Sequence, residues 1–311
     1  MDVSIVVCTW NRASYLDQCL QGMQELDIPA GVEWEILIVN NNCTDNTDEV
    51  IARHARTLPI RRLFESTAGK SYAANRGIQE AKGDLIICTD DDVLVCADWV
   101  SRYVEAAHSW PNASFFGGTI DPWFEAEPPG WIKENLVRKG PYSILQHGPE
   151  VRPFLPGEVG PYGANMAIRA GVLKQFTFDT RLGPIRENIL PADDGEFFFR
   201  LRSAGHRGVW VGPARVKHHI AKGLLTRDYI WQWHLEQGRT LVIREGRKSE
   251  GRLLGAPRWL IRQHCTARMR AWLLWLRKGE KWVQAYTDAA KTLGMIREYR
   301  ALQDPHAERR K

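Results

Sequence analysis

No uninterrupted apolar stretch in these 311 residues approaches the roughly 20 needed to span a bilayer. No secretory leader pattern opens the sequence: Asp2 comes first, followed by the strand-like SIVVCTW. The expected location is therefore the cytoplasm. Cysteine is sparse, and Cys8, Cys19, Cys43, Cys88, Cys96 and Cys265 form no CxxC pair, which argues against a structural zinc site. Cys8 and Cys88 lie inside apolar runs and read as small buried hydrophobes in a reducing compartment. Internal repeats are absent. The Gly69-Lys70-Ser71 segment is no Walker A loop, because the glycine that such a loop needs at position 64 is Phe64.

A charge of one sign is lacking overall, with a net of +5, but the balance is uneven along the chain. Residues 241–311 carry 17 Lys and Arg against 7 Asp and Glu, leaving 25 basic and 30 acidic residues in 1–240. A basic tail of this kind suits an anionic surface or simply a solvated helical face. Within it, Ile261, Cys265, Met269, Trp272 and Leu276 fall on one helical stripe, with Arg258 and Arg262 at or near it. Two readings follow: a helix packed over the catalytic part, which is favoured, or a helix lying on a membrane surface. The second adds the inner face of the cell membrane to the expected location. Nucleic acid is not an expected partner.

What is present is a strand–helix alternation. Ser4–Cys8, Glu35–Val39, Ile60–Phe64 and Asp84–Cys88 are short runs rich in Ile and Val, suited to strands buried on both faces. Helix patterns cover Ala13–Leu26, Thr47–Arg56 and Ser71–Ala81. Asn46 or Thr47 is placed to cap the second, Ser71 to cap the third, and Gly83 to close it. Such repeats predict an open, mostly parallel α/β sheet. Residues 121–192 are rich in loops, Pro, Gly and aromatics. A helix follows at Asp193–Ala204 and a strand at Gly208–Val211. From Thr226 the pattern is helical, interrupted near Gly251–Pro257.

In open parallel sheets, ligands bind beyond the carboxyl ends of the strands. Three polar segments lie there: Thr9 to Arg12, Asn40 to Asp45, and Thr89 to Asp92. The last holds three adjacent carboxylates. Asp90 and Asp92, two apart, point to the same side if the chain stays extended. Paired carboxylates repel unless a cation sits between them, and hard oxygen ligands suit Mg²⁺ or Mn²⁺ beside substrate phosphates. An acidic turn preceding a helix is the plainer alternative.

The ordered elements SIVVCTWNR, VNNNCTDNT, AGKSYAANRG, TDDD, GANMAIR and DDGEFFFRLRSAG resemble glycosyltransferase family 2, over about residues 1–240. The resemblance implies a GT-A fold: an α/β, Rossmann-like, mostly parallel sheet flanked by helices. The expected catalytic domain is 1–240, with a nucleotide-binding half at 1–120 and an acceptor half at 121–240. A helical extension follows at 241–311. The implied activity is inverting transfer of a sugar from a nucleotide sugar, a UDP-sugar favoured. The acceptor would be a hydroxyl of a glycan, polysaccharide or lipid-linked molecule.

By the same resemblance, Thr9, Asn11, Arg12, Asn40, Asn42, Asp45, Gly69, Lys70, Asn75, Asp90 and Asp91 hold the nucleotide. Asp92 and His218 hold Mn²⁺ or Mg²⁺, with His219 the neighbouring candidate. Gly163, Ala164, Asn165 and Asp193 line the sugar and acceptor, and Asp194 is the base. Lys70, Arg76 and Arg200 are candidates to support the leaving diphosphate. The sequence departs from the pattern at Asn40-Asn41-Asn42, where the family usually carries an acid that reads the base. A sugar-nucleotide pyrophosphorylase is the alternative enzyme, but CTWNRASYL lacks its Gly-rich basic loop. A non-catalytic nucleotide-sugar-binding protein is the other alternative.

Overall fold

The computed structural model describes residues 1–132, 140–183, 193–245, 252–253, 255–276 and 279–302, with backbone alone at 193, 244, 245 and 252. The chain divides into two compact units. The first comprises Met1–Trp123, Tyr142–Arg186 and Asp193–His219, and the second Phe124–Pro141, Glu187–Ala192 and Ile220–Lys311.

The first unit is built on the four apolar runs. They form β1 (Val3–Thr9), β2 (Trp34–Asn40), β3 (Ile60–Phe64) and β4 (Leu85–Asp90). All pair in parallel, with β1 between β2 and β4 and with β3 outside β2. Their connections are α1 (Ala13–Met23), α2 (Thr47–His54) and α3 (Lys70–Glu80). Helix α1 buries Ala13, Leu16, Cys19, Leu20 and Met23, the spacing of a single apolar face laid on the sheet. Next come β5 (Val93–Val95), α4 (Trp99–Ser109), β6 (Phe115–Phe124), β7 (Val151–Pro153), β8 (Met166–Arg169), α5 (Ala170–Leu173), α6 (Asp193–Ser203) and β9 (Gly208–Ile220). The sheet order is β3-β2-β1-β4-β8-β6-β9-β5, with β7 also on β9. Pairs β4–β8, β6–β8, β5–β9 and β7–β9 are antiparallel, so the sheet is mixed, with its parallel half at the N-terminal end of the chain.

Several local expectations change. Strand β9 runs nine residues beyond the expected Val211. Gly212 and Pro213 interrupt the apolar run, but beyond them Ala214 and Val216 are buried while Arg215 and Lys217 are exposed, the period-two signature of a half-buried strand. Helix α2 is capped by neither Asn46 nor Thr47. Asp45 Oδ1 accepts from the Thr47 backbone N–H at 3.2 Å and its hydroxyl at 2.6 Å. Ser71 is not a cap either; it sits inside α3 and donates to the Leu182 carbonyl at 2.8 Å. The cap position is Gly69, whose φ of 142° favours glycine. Gly83 lies past the helix end, where its N–H donates to Ser4 Oγ at 2.9 Å.

The second unit is mainly helical: α7 (Arg227–Glu245), a short β10–β11 hairpin (Arg252–Leu253 and Ala256–Pro257), α8 (Arg258–Leu273) and α9 (Glu280–Ala301). Arg239 ties α7 to α9 by donating to Glu298 at 3.0 Å. No helix among the described residues is long and apolar enough to cross a membrane.

Asn165 organises the first unit's core. It is fully buried, and its Oδ1 accepts from Trp99 Nε1 at 2.8 Å and from the Tyr103 hydroxyl at 2.7 Å. Its Nδ2 donates to the Thr119 carbonyl at 2.9 Å and the Ala214 carbonyl at 2.8 Å. Truncation would strand four buried polar partners at once. We expect Asn165→Ala to lower unfolding stability by about 3 kcal/mol or more, read as a lower urea midpoint for the full chain.

Candidate active site

The parallel register sets the geometry of the site. Thr9 lies opposite Asn40 and Cys8 opposite Asp90, so the three strand ends finish on one edge. Asp90 ends β4, and Asp91 and Asp92 turn the chain into β5. The β5–β9 pairing then sets Val93 opposite His218. That register carries a histidine from the far end of the catalytic sequence to the carboxylates. The two neighbouring histidines point apart, as strand alternation requires. His218 Nε2 lies 3.4 Å from Asp92 Oδ1. His219 packs its ring against Tyr15 and Trp123, with centroids 4.9 and 5.0 Å away.

Asp90 has a counterweight of its own, while Asp91 and Asp92 share one. Asp90 Oδ1 meets Lys70 Nζ at 2.5 Å. Buried Asp91 accepts from the Thr9 hydroxyl at 2.8 Å and from Arg12 at 3.2 Å. Asp92 Oδ2 accepts from Arg12 at 2.7 Å. Burial pushes Asp91 above the usual carboxylate range, against the pull of Arg12. Burial also acts to raise Asp92, but the attraction of His218, then of Arg12 and Lys70, carries it below that range. Burial acts to lower His218, and the nearby Asp92 outweighs it, so the ring holds its proton above the ordinary histidine value.

Asp90, Asp92 and His218 can each turn one ligand atom to within 4.8 Å of the others. Asp92 Oδ1 is buried and makes no hydrogen bond, a costly state for a carboxylate oxygen that a cation relieves. His218 Nδ1 lies 3.1 Å from the Tyr142 carbonyl. A carbonyl only accepts, so Nδ1 carries a proton, and once Nε2 gives up its own the neutral ring directs the Nε2 lone pair at the cluster. Metal-bound histidines are oriented in this way. Two carboxylates and one imidazole fit Mn²⁺ or Mg²⁺ beside phosphate oxygens. The Tyr142 contact had no signal in the sequence, since any residue supplies a carbonyl.

Asp194 stands in the first turn of α6, where the helix dipole favours a negative charge. Its Oδ2 accepts from the Gly163 N–H at 2.7 Å. A Cβ on Gly163 would lie 3.1 and 3.3 Å from the two Asp194 oxygens and 3.3 Å from Lys70 Nζ, so a larger residue would push these side-chain ends aside by a few tenths of an ångström. One cavity is lined by Lys70, Asp90, Thr89, Gly163 and Asp194, and also by Cys8 and Cys88. Lys70 therefore belongs to the site. Arg76 pairs with Glu80 at 3.1 Å and Arg200 with Glu196 at 2.6 Å, within their own helices.

Other expected site residues shape the loops. Asn11, at φ 51°, accepts from the Thr44 N–H at 2.7 Å. Asn42, at φ 68°, donates to the Ser66 carbonyl at 2.9 Å. Asn40 donates to Asp48 at 2.7 Å and accepts from the Cys43 N–H at 2.8 Å. Asp45 Oδ2 accepts from the Ala13 N–H at 3.0 Å, so one carboxylate serves the starts of both α1 and α2. Gly69 donates to Asn41 Oδ1 at 2.8 Å. Asn75 exchanges two hydrogen bonds with the Phe178 backbone, at 2.9 and 2.8 Å. Ala164 is buried, and its carbonyl accepts from the Thr89 hydroxyl at 2.8 Å. Asn165, expected at the sugar, is instead walled into the core with all four partners satisfied. The Asp193 side chain lies outside the described residues.

Residues 4–176 match the family model described as glycosyl transferase family 2. A glucosyl-dolichyl phosphate glucuronosyltransferase of Haloferax volcanii is 26% identical over 262 residues, covering 78% of this chain and 78% of the relative. Among solved structures, a mannosyltransferase from Pyrobaculum calidifontis in complex with GDP-Man and Mn²⁺ aligns with a TM-score of 0.60 at 18% identity. It covers 97% of this chain and 87% of that one. S. aureus TarS 1-349 in complex with UDP aligns at 0.57 and 13% identity, over 98% and 92%. The α/β, GT-A-like architecture is thus shared with nucleotide-sugar glycosyltransferases.

Metal binding is testable without turnover. Mn²⁺ at about 100 times its dissociation constant should add about 2.7 kcal/mol of stability, a shift of several degrees in Tm. Asp92→Asn and His218→Ala should each abolish the shift at that concentration. The ring must give up its proton to bind metal, so Mn²⁺ affinity should fall as pH drops below neutrality. An undiminished shift in both variants would remove the cluster from consideration.

Proposed function

The chain belongs to glycosyl transferase family 2, and from that premise we propose a metal-dependent, inverting transfer from a nucleoside-diphosphate sugar to an acceptor hydroxyl. The observation that carries this reading is a cavity lined by Asp90, Lys70 and Asp194 together. It brings a phosphate-side charge cluster and a separate carboxylate to one small space. A UDP-sugar is the favoured donor. The Haloferax volcanii relative is named a glucosyl-dolichyl phosphate glucuronosyltransferase, which supports a lipid-linked acceptor over a free glycan.

In the proposed reaction, the acceptor oxygen forms a bond to the anomeric carbon as the bond to the diphosphate oxygen breaks on the opposite face. The electron pair of that bond leaves with the nucleoside diphosphate. Asp194 accepts the acceptor proton. It is suited to this because its Oδ2 is already anchored by the Gly163 N–H, which fixes the carboxylate's orientation. Asp90, Asp92 and His218 would hold Mn²⁺ or Mg²⁺, which when bound offsets negative charge growing on the leaving diphosphate. Lys70, beside Asp90, adds a positive charge at the same edge. Thr9, Arg12 and Asp91 brace the carboxylate turn from behind. Holding donor and acceptor in line supplies much of the acceleration.

Asn40 and Asp48 bond to each other, and Asp48 also takes two bonds from Arg62, both at 2.7 Å. Asp48 is therefore already paired and is not free to read a base. A panel of UDP-, GDP- and dTDP-sugars with Mn²⁺, read by nucleoside-diphosphate release, tests the donor. Silence across the panel, with metal binding intact, would favour a non-catalytic binding protein. Asp194→Asn keeps the shape of the side chain. It should retain donor binding by thermal shift and lose roughly 100-fold or more in turnover. Near-normal turnover would reassign the base.

A further inference from the structure

Helix α8 of the second unit presents two apolar faces. One is buried, through Leu260 and Ala267. His264 fixes that side to α9 with contacts of 3.1 Å to the Ala289 carbonyl and the Thr292 hydroxyl. On the opposite side Cys265, Met269, Trp272 and Leu273 recur at i, i+4, i+7 and i+8 and face solvent. Trp272 is 76% exposed, Leu273 63% and Leu276, just past the helix end, 93%. Single exposed hydrophobics are ordinary, but a contiguous stripe of large ones marks a contact surface.

The charge around the stripe selects its partner. Arg258 and Arg262 stand exposed at its N-terminal end, and Arg268 and Arg270 flank it on either side. Residues 258–278 carry six Arg and Lys and no Asp or Glu. A second copy of this chain would set these arginines against their own equivalents. Nucleic acid would answer the arginines but leave Met269, Trp272, Leu273 and Leu276 without a use. An anionic lipid surface answers both, because acyl chains take the Trp and Leu side chains while headgroups take the guanidinium groups. We propose that α8 and the turn after it form a membrane-surface anchor, lying in the headgroup layer of an anionic bilayer with Trp272, Leu273 and Leu276 inserted. This surface does not depend on the donor or acceptor reading of the catalytic residues.

Flotation of the full chain with phosphatidylcholine vesicles, with and without phosphatidylglycerol, tests it. The protein should float with the anionic vesicles, and added salt should weaken the association. The double variant Trp272→Ser/Leu276→Ser should lose more than roughly tenfold in partitioning. Arg268→Gln/Arg270→Gln should lose the preference for anionic lipid. Both pairs are exposed, so the Mn²⁺-dependent thermal shift serves as the folding control. Failure to float at low salt overturns the proposal. So does unchanged flotation of the Trp272/Leu276 variant, or a dimer in light scattering that this variant dissociates. Salt-sensitive oligonucleotide binding lost in the arginine variant, without vesicle binding, would assign the surface to nucleic acid instead.

Discussion

Three carboxylates on consecutive residues at one strand end repel one another, and much of the first unit is arranged around that repulsion. At an effective dielectric of 20, two like charges about 4 Å apart cost about 4 kcal/mol. The chain meets the cost from four separate elements. Thr9 comes from the end of β1, Arg12 from the loop after it, Lys70 from the start of α3 and His218 from β9. Each depends on a different piece of topology, so the cluster holds only when the parallel half and the antiparallel half of the sheet are joined. One oxygen, Asp92 Oδ1, is left without a hydrogen bond beside an imidazole whose tautomer is fixed by the Tyr142 carbonyl. When the ring gives up its Nε2 proton, that oxygen loses its facing positive charge, and a cation at this point restores the balance.

The parallel half was readable from sequence because its physics is local. Runs such as SIVVCT and LIIC are apolar on both faces, and a parallel strand needs that. The rule that ligands gather at carboxyl ends then locates Thr9, Asn40 and Asp90 without further information. The antiparallel half was not readable, because Gly212 and Pro213 mask a strand whose second half alternates. The identity of the cluster's histidine hinged on that strand. His218 and His219 differ only in parity, and parity follows from the register of β9 on β5.

The asparagines carry a different lesson. Asn40, Asn42, Asn75 and Asn165 all lie in polar segments that the family resemblance assigns to ligands. In the structure each spends its amide on the protein itself. Asn165 satisfies a helix and two strands, Asn75 fixes the loop at Phe178, and Asn40 and Asn42 tie the second strand's loop to its neighbours. An amide both donates and accepts, so one side chain can meet unlike backbone groups. A carboxylate could not do so without an unmet charge. The residue type shows that hydrogen bonds are made, and only the fold shows with what.

The basic tail explains why its amphipathic pattern looked imperfect. A helix with one apolar face gives a clear 3.6-residue period. Helix α8 has two, one under α9 and one toward solvent, and opposed faces largely cancel when summed around the axis. Arg258 and Arg262 then fall within the outer stripe at its N-terminal end, which further blurs it. Packing against α9 within the second unit accounts for Leu260, His264 and Ala267 but not for Trp272 and Leu276. A side chain as large as tryptophan left three-quarters exposed, on a helix whose inner face is already buried, adds little burial to the second unit. Its stripe of large apolar neighbours, flanked by arginines in a segment, 258–278, that carries no Asp or Glu, is the composition of a surface that meets hydrocarbon and negative charge together.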